Sequence, residues 1–274
     1  MKFTLKVLSG NLFPINYNYP LSAILYKLLK FGSNDFAEFL HNIGFKQDGK
    51  TYKLFTFGLK FNDKVKANKT HLILSGDQIS LLVSSPLVDS FLKSLIVGSF
   101  VNEKIQLISG GTNVLLQIEQ IEMLPTPNFS KETKFYPISP LVIGTKKEVD
   151  GETKPYYFRY YDNINEIERV FNNNLINKYE LVTHSKYVGE NLVFSWDTDY
   201  INDRLKRNKR VTKLINNKIH GNEINIKANE IPFSLIGNTD LMKIGYECGF
   251  GSQNSLGFGL TEIREEREQI LEDR

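Results

Sequence analysis

The chain opens on a strict alternation. Phe3, Leu5 and Val7 fall on one side and Lys2, Thr4 and Lys6 on the other, the two-residue period of a half-buried strand. After a turn-rich stretch over 14–20, Leu21, Ile24, Leu25, Leu28 and Leu29 recur at helical spacing. A second helical run follows Asn34-Asp35 as its N-cap, with Phe36, Phe39, Leu40 and Ile43 on the apolar side and Gly44 as its stop. Segments 72–75 and 78–84 flank Gly76-Asp77, which predicts a two-residue hairpin with glycine at positive φ. Residues 87–96 read as a helix. Val114, Leu116 and Ile118, then Ile121 and Met123, read as a strand whose alternation slips once, as a bulge makes it do. Strand, helix, strands, helix, strand is the order of a split βαβ unit: four antiparallel strands with two helices on one face.

Residues 125–131 break this pattern and form the expected linker. A similar order then resumes, with an extended stretch at 135–142, a helix at 165–179 and strands at 192–196, 210–216 and 222–236. A short helix at 239–248 and a final strand to 264 complete it. The second half repeats the first in outline, not in letters. The expected organisation is α+β, with one domain over 1–125, a second over 132–264 and a charged, solvated tail over 265–274.

A length of 274 residues gives room for two cores, and 41% hydrophobic with 24% charged residues is the balance of an ordinary globular protein. No run of about eighteen apolar residues occurs, and the opening alternation stands where a signal peptide would show an apolar block, so a chain neither exported nor membrane-spanning is expected. Cys248 is the single cysteine. That excludes a disulfide within the chain, leaves too few sulfurs for a structural zinc site and fits a reducing cytoplasm. A net charge of +3 does not by itself argue for nucleic acid; clustering must carry that case.

The most distinctive stretch runs Gly249-Phe250-Gly251-Ser252-Gln253-Asn254-Ser255-Leu256-Gly257-Phe258-Gly259. It follows a helix rather than a strand, so the dinucleotide fingerprint does not fit, and it lacks the Lys-Ser/Thr end of a triphosphate loop. Two readings stay open: a loop whose backbone N–H groups cradle an anion such as a backbone phosphate through Gly249, Gly251, Ser252, Asn254, Gly257 and Gly259, or a tight helix-to-strand connection. This stretch, with Tyr246-Glu247-Cys248 before it and Pro14-Ile15-Asn16-Tyr17-Asn18-Tyr19-Pro20-Leu21-Ser22 early in the chain, resembles the CRISPR-associated endoribonucleases that process repeat RNA, within the RAMP superfamily. Phe36-Ala37-Glu38-Phe39-Leu40-His41 and Lys53-Leu54-Phe55-Thr56-Phe57 fit the same family, and the resemblance runs in order from about residue 1 to 264. It implies tandem ferredoxin-like (RRM-like, βαββαβ) domains, in agreement with the pattern above.

The resemblance also implies a catalytic set of Tyr26, His41 and Lys53. Read alone, Tyr26 is a packing residue beside an apolar stripe, His41 a residue near a helix end and Lys53 the marker of a strand edge. The chemistry suits the set. RNA carries its own nucleophile, the 2′-hydroxyl, and a histidine with a pKa of about 6.5 exchanges protons near neutrality. A lysine offsets charge growing on the phosphate oxygens, and a tyrosine orients the sugar or shares the proton traffic. The implied activity is a metal-independent cut of precursor CRISPR RNA giving a 2′,3′-cyclic phosphate and a 5′-hydroxyl, with no cofactor; the alternative is a repeat-RNA-binding protein of the same fold that does not cut. His71, His184 and His220 stand singly, without the spacing of metal ligands. Arg204, Lys206, Arg207, Lys209 and Arg210 put five cations into seven residues on an expected strand-leading loop, a phosphate rail or a solvated loop. Trp196 and Tyr200 could stack on bases or pack, and the aromatic run 156–161 is read as packing. The partners expected are repeat RNA, an interference complex that receives the product and a second copy in a homodimer, with no membrane.

Overall fold

The computed structural model describes residues 1–149, 151–219 and 222–264. The chain divides into two compact units, one of Met1–Pro125 with Ser255–Gly257 and one of Thr126–Asn254 with the chain from Phe258 onward. The tail at 265–274 and His220 lie outside the described residues. Among the described residues, no helix is long and apolar enough to cross a membrane.

In the first unit, Thr56–Phe61, Gln78–Ser84, Lys2–Ser9, Thr112–Glu122 and Lys104–Ser109 lie side by side in that order, every pair antiparallel. The first four have the ferredoxin-like order, and Lys104–Ser109 extends the sheet by an outer strand. Lys2–Ser9 is central because its alternation lets Phe3 and Leu5 enter the core while Lys2 and Lys6 stay out to pair with Glu122 and Glu119. The expected slip falls at Glu119: Thr4 faces Gln120 and Leu5 faces Ile118, leaving one extra residue in register.

The hairpin predicted at Gly76-Asp77 does not form. His71–Leu74 pairs with Leu12–Pro14 and Val65–Ala67 in a separate small sheet, while Gln78–Ser84 joins the main one. Gly76 does not adopt a positive φ; the Asp63 carboxylate sits 1.7 Å from where a Cβ would be, so crowding and not turn geometry fits a glycine here. The helical run from 34 is capped by Ser33, whose Oγ accepts from Phe36 N at 3.4 Å, and not by Asn34-Asp35. It then loosens into a π-helical turn over Phe39–Ile43.

The second unit repeats the order with Val193–Trp196, Phe233–Ile236, Glu132–Pro137 and Thr261–Glu262. Helices Ile164–Thr183 and Thr239–Cys248 pack against each other. The stretch at 222–236, expected as one strand, divides at Pro232: Asn222–Asn229 forms a hairpin with Thr212–Ile219, and only Phe233–Ile236 enters the sheet. A further hairpin, Gly144–Val149 with Glu152–Tyr157, was not anticipated from the pattern. Phe135, Phe171, Phe194, Phe233 and Phe250 pack ring against ring, stacked or edge-on, as one aromatic core.

In the first unit, helices Asn18–Gly32 and Lys93–Val101 approach so closely that a Cβ on Gly98 would lie 1.8 Å from the Leu28 carbonyl oxygen. Backbone cannot yield as a side chain does. Gly98→Ala is therefore expected to force the helices apart and to destabilise the unit by about 1–3 kcal/mol, the usual cost of overpacking. Urea unfolding followed by circular dichroism measures it; a variant as stable as the parent would contradict the close packing.

Candidate active site and nucleic-acid interface

Helix Asn18–Gly32 turns Leu21, Leu25, Leu28 and Leu29 into the core and leaves Tyr26 on its shoulder. There the Tyr26 ring meets the His41 ring edge-on, centroids 5.1 Å apart, and Phe55 at 5.8 Å on another side. Burial pushes the Tyr26 hydroxyl well above the ordinary tyrosine range, so it keeps its proton and acts as a donor near neutrality. His41 lies in the π-helical turn, exposed, with Nδ1 2.9 Å from Asn42 Oδ1. Such turns are frequent at functional sites because they re-aim a side chain.

Lys53 completes the group. Its Nζ donates to the carbonyl oxygens of Leu40 and, at 2.8 Å, His41, at the carbonyl end of that turn. An ammonium has three protons, and two are used here. Burial holds the Lys53 pKa below the usual lysine value. The next residue, Leu54, is a buried leucine at φ +54°, a backbone state costly for a branched side chain. That kink lets Lys53 point outward while Leu54 and Phe55 point into the core. The structure thus brings Tyr26, His41 and Lys53 together.

The glycine-rich stretch is shaped from beneath. Lys178, fully buried on helix Ile164–Thr183, donates to the carbonyl oxygens of Gly249 at 2.6 Å and Gly251 at 2.7 Å and to Asn254 Oδ1 at 2.8 Å. Asn254 Nδ2 in turn donates to the Phe250 and Phe258 carbonyls. Gly251 and Gly259 hold positive φ, and a Cβ on either would strike a backbone carbonyl, Val142 at 2.2 Å and Phe250 at 1.9 Å. The backbone N–H groups of Phe250, Ser252 and Gly259 donate to Gly259, Val142 and Pro140. Ser252 Oγ also donates to Val142. The polar atoms of Ser252 and Asn254 thus serve the loop's own architecture, the connection reading, and departures from a phosphate cradle have that cause. Gly249 ends helix Thr239–Cys248 at φ 86°. Gly257 clusters with the first unit, where Asn18 Nδ2 donates to the Leu256 and Gly257 carbonyls.

The basic run is not a loop throughout. Arg204 and Lys206 close helix Thr198–Lys206 and Arg207 caps it, where cations suit the carbonyl end. Arg204, Arg207 and Lys209 line an open concavity of about 1000 Å³ that Lys134, Tyr136 and Arg264 also face. Arg204 sits over the Tyr200 ring at 5.8 Å and Arg264 over the Tyr136 ring at 4.5 Å. Arg207 is paired with Asp203 at 3.0 Å and Lys134 with Asp197 at 2.6 Å, so part of the charge is spent internally. Lys206 and Arg210 do not line this concavity. Trp196 is 9% exposed and packs on Phe194, which makes it a core residue and leaves Tyr200 as the aromatic at the surface. Among the described residues, no three His, Cys, Asp or Glu side chains gather to hold a metal ion.

A family model described as CRISPR associated protein Cas6, C-terminal, matches residues 124–263 of the 274. The chain belongs to the Cas6 family. It is 27% identical over 276 residues to the CRISPR-associated endoribonuclease Cas6 1 of Methanocaldococcus jannaschii, across 98% of this chain and 95% of that protein. To the CRISPR-associated endoribonuclease Cas6 of Pyrococcus furiosus it is 24% identical over 251 residues, across 91% and 83%. A solved structure described as CRISPR associated protein Cas6 matches with a TM-score of 0.73 at 26% identity, covering 96% of this chain and 98% of that one. The tandem ferredoxin-like fold agrees with this Cas6 likeness.

Lys178 was not singled out from the sequence of this Cas6 protein, nor were Tyr136 and Arg264. The one legible signal for Lys178 is its place: a lysine on the apolar side of an amphipathic helix, one turn beyond Asn174. No ion pair among the described residues involves it, and burial pulls its pKa down from 10.5 to about 7. The three oxygens around it oppose that shift, since only the ammonium has three protons to give. The unfolded chain keeps this proton up to about 10.5 and the folded chain releases it earlier, so the unfolded state binds more protons and stability rises with pH above about 7. Above 9.0 the trend reverses for Cys248, whose buried thiol is pushed up to about 12. Denaturation at pH 7, 8 and 9 should show a rise in wild type that is reduced in Lys178→Met, a comparison that cancels the amino terminus of Met1, whose pKa burial also lowers. At pH 7 the variant should itself be less stable by about 1–3 kcal/mol, because carbonyls are left unpaired. Equal pH slopes in the two proteins would refute the account.

Proposed function

We propose that this chain is an endoribonuclease that binds the repeat of precursor CRISPR RNA and cuts it once, without a metal, by attack of the RNA's own 2′-hydroxyl. The observation that carries the reading is the meeting of Tyr26 with His41 at 5.1 Å beside Lys53 Nζ. His41, exposed beside the phenol, exchanges protons with the nucleophile or the leaving oxygen. Tyr26, held neutral, donates a hydrogen bond to the sugar or phosphate. Lys53 has a third proton for the phosphate oxygens, on which negative charge grows as the 2′-oxygen attacks. The products are a 2′,3′-cyclic phosphate and a 5′-hydroxyl. The concavity bearing Arg204, Arg207 and Lys209 supplies phosphate contacts, joined by Lys206 and Arg210 outside it, and the glycine-rich loop from Gly249 to Gly259 presents its surface to the same RNA. Transfer of the product to an interference complex, and pairing of two copies as a homodimer, belong to the same proposal.

His41→Ala should lower single-turnover cleavage by about 10² to 10⁴ with repeat binding retained, the usual scale for lost proton transfer. A variant that cuts at the wild-type rate would remove His41 from the mechanism; a wild-type protein that binds the repeat and never cuts would favour the non-catalytic alternative.

The nucleophile is tested separately. A repeat with one deoxyribose at the nucleotide upstream of the cut should bind and resist cleavage, and the all-RNA substrate should be cut in excess EDTA. Loss of one hydroxyl removes only about 0.5 to 1.5 kcal/mol per hydrogen bond from an interface of many contacts. Cleavage of the deoxy substrate at a comparable rate would overturn 2′-hydroxyl attack, and activity that needs Mg²⁺ after chelation would overturn metal independence.

A further inference from the structure

The aromatic run at 156–161 does more than pack. Phe158 is sealed in the core at 1% exposed, and Tyr156 leans on it edge-on, but Tyr161 is 59% exposed. Two open cavities flank it, of about 370 and 620 Å³, within the range of sites for small ligands. Arg159, Tyr161, Leu214 and Lys227 line both and so form their common wall. Arg159 braces the ring: its guanidinium lies 5.5 Å from the Tyr161 centroid and donates to the Tyr161 hydroxyl. Tyr160 meets the same ring edge-on at 5.1 Å.

The charge on these walls is mainly positive. Arg159, Arg210, Lys213 and Lys227 line the smaller cavity with no carboxylate among its lining residues. Asp162 is the one acid on the larger, and its Oδ2 is occupied by Arg159 N at 2.8 Å and the Tyr156 hydroxyl at 3.1 Å. An exposed ring beside Arg159, Arg210 and Lys227 fits a polyanion that carries flat, unstacked rings of its own, which is single-stranded nucleic acid. A paired helix hides its base faces and offers Tyr161 nothing to stack on.

Resting on the reading that this chain binds repeat RNA, we propose that the wall of Arg159, Tyr161 and Lys227 is a subsite for unpaired nucleotides of that RNA. One base stacks on Tyr161, with its ring held by Arg159, and the adjoining phosphates meet Arg210 and Lys227.

The test uses the full chain and repeat RNA, with dissociation constants measured by fluorescence anisotropy. Tyr161→Ala should weaken binding about ten-fold or more, as loss of one base–aromatic stack does. Tyr161→Phe, which keeps the ring, should stay within about two-fold of wild type. Lys227→Ala should lower the slope of log affinity against log salt by about 0.7, the share of one phosphate contact on a single strand. Phe100→Ala, at an exposed aromatic in the first unit, should leave affinity unchanged. Repeat RNA carrying 5-iodouridine at its unpaired positions should cross-link on irradiation to the peptide containing Tyr161. Wild-type affinity and an unchanged cross-link in Tyr161→Ala would overturn the subsite and leave the RNA reading standing, as would equal losses in Phe100→Ala. Failure of the wild-type protein to bind repeat RNA would overturn both.

Discussion

One buried ammonium sets the shape of the second unit. Sequestering a lysine charge costs several kcal/mol, and Lys178 offsets part of that cost without a carboxylate partner among the described residues, through three hydrogen bonds to Gly249, Gly251 and Asn254. Charge-assisted bonds of this kind contribute about 1.5–3 kcal/mol each, and the part of the cost they leave uncovered is what pulls the lysine pKa down. Their geometry requires the carbonyls of a sharply curved segment to point inward. Only residues without a Cβ fit where that curve brings Gly251 against Val142 and Gly259 against Phe250. The curve then delivers Leu260 and Thr261 to the edge of Glu132–Pro137, which closes the four-stranded sheet. Lysine, glycines and last strand stand or fall together.

The first unit solves a different problem, holding polar side chains at the surface of an apolar core. Tyr26 and Phe55 anchor one side through ring contacts, and Leu54 accepts a strained backbone so that Lys53 can face away from its neighbours. A regular α-helix through Phe39–Ile43 would place His41 at another angle to Tyr26; the π-helical turn absorbs one extra residue, and Lys53 ties down its freed carbonyls. Local irregularity and local chemistry coincide here. The same positions that break the rules of helix and strand are those that carry donors and a titratable ring.

The two-residue alternation of Lys2–Ser9 and the helical spacing of Leu21 to Leu29 were legible because one face of each element is buried and the other is not. The bulge at Glu119 was legible for the same reason, since a single slip moves every later side chain to the other face. Gly76-Asp77 misled because a turn signal reports that the chain bends, not which strand receives it. The stretch at 222–236 misled because β-rich composition hides a change of partner at Pro232. At the site, Tyr26, His41 and Lys53 came from the family motif and not from periodicity. Lys178 stayed hidden because a buried lysine is the opposite of what composition leads one to expect.

Charge pairing also bears on how this Cas6 protein would hold a polyanion with a net charge of only +3. Arg207 and Lys134 in the larger concavity already face Asp203 and Asp197, so each must trade a fixed carboxylate for a phosphate, an exchange that yields little free energy. Lys147, beside the aromatic run, is likewise tied to Glu166. Phosphate neutralisation alone would then give a weak and strongly salt-dependent grip. The surface compensates with rings: Tyr136 under Arg264, Tyr200 under Arg204 and Tyr161 beside Arg159 each join a cation to an aromatic face. Stacking on such faces is far less sensitive to salt than phosphate pairing and demands unpaired bases. With the subsite proposed above, a surface built in this way would select for the single-stranded parts of an RNA before any base edge is read.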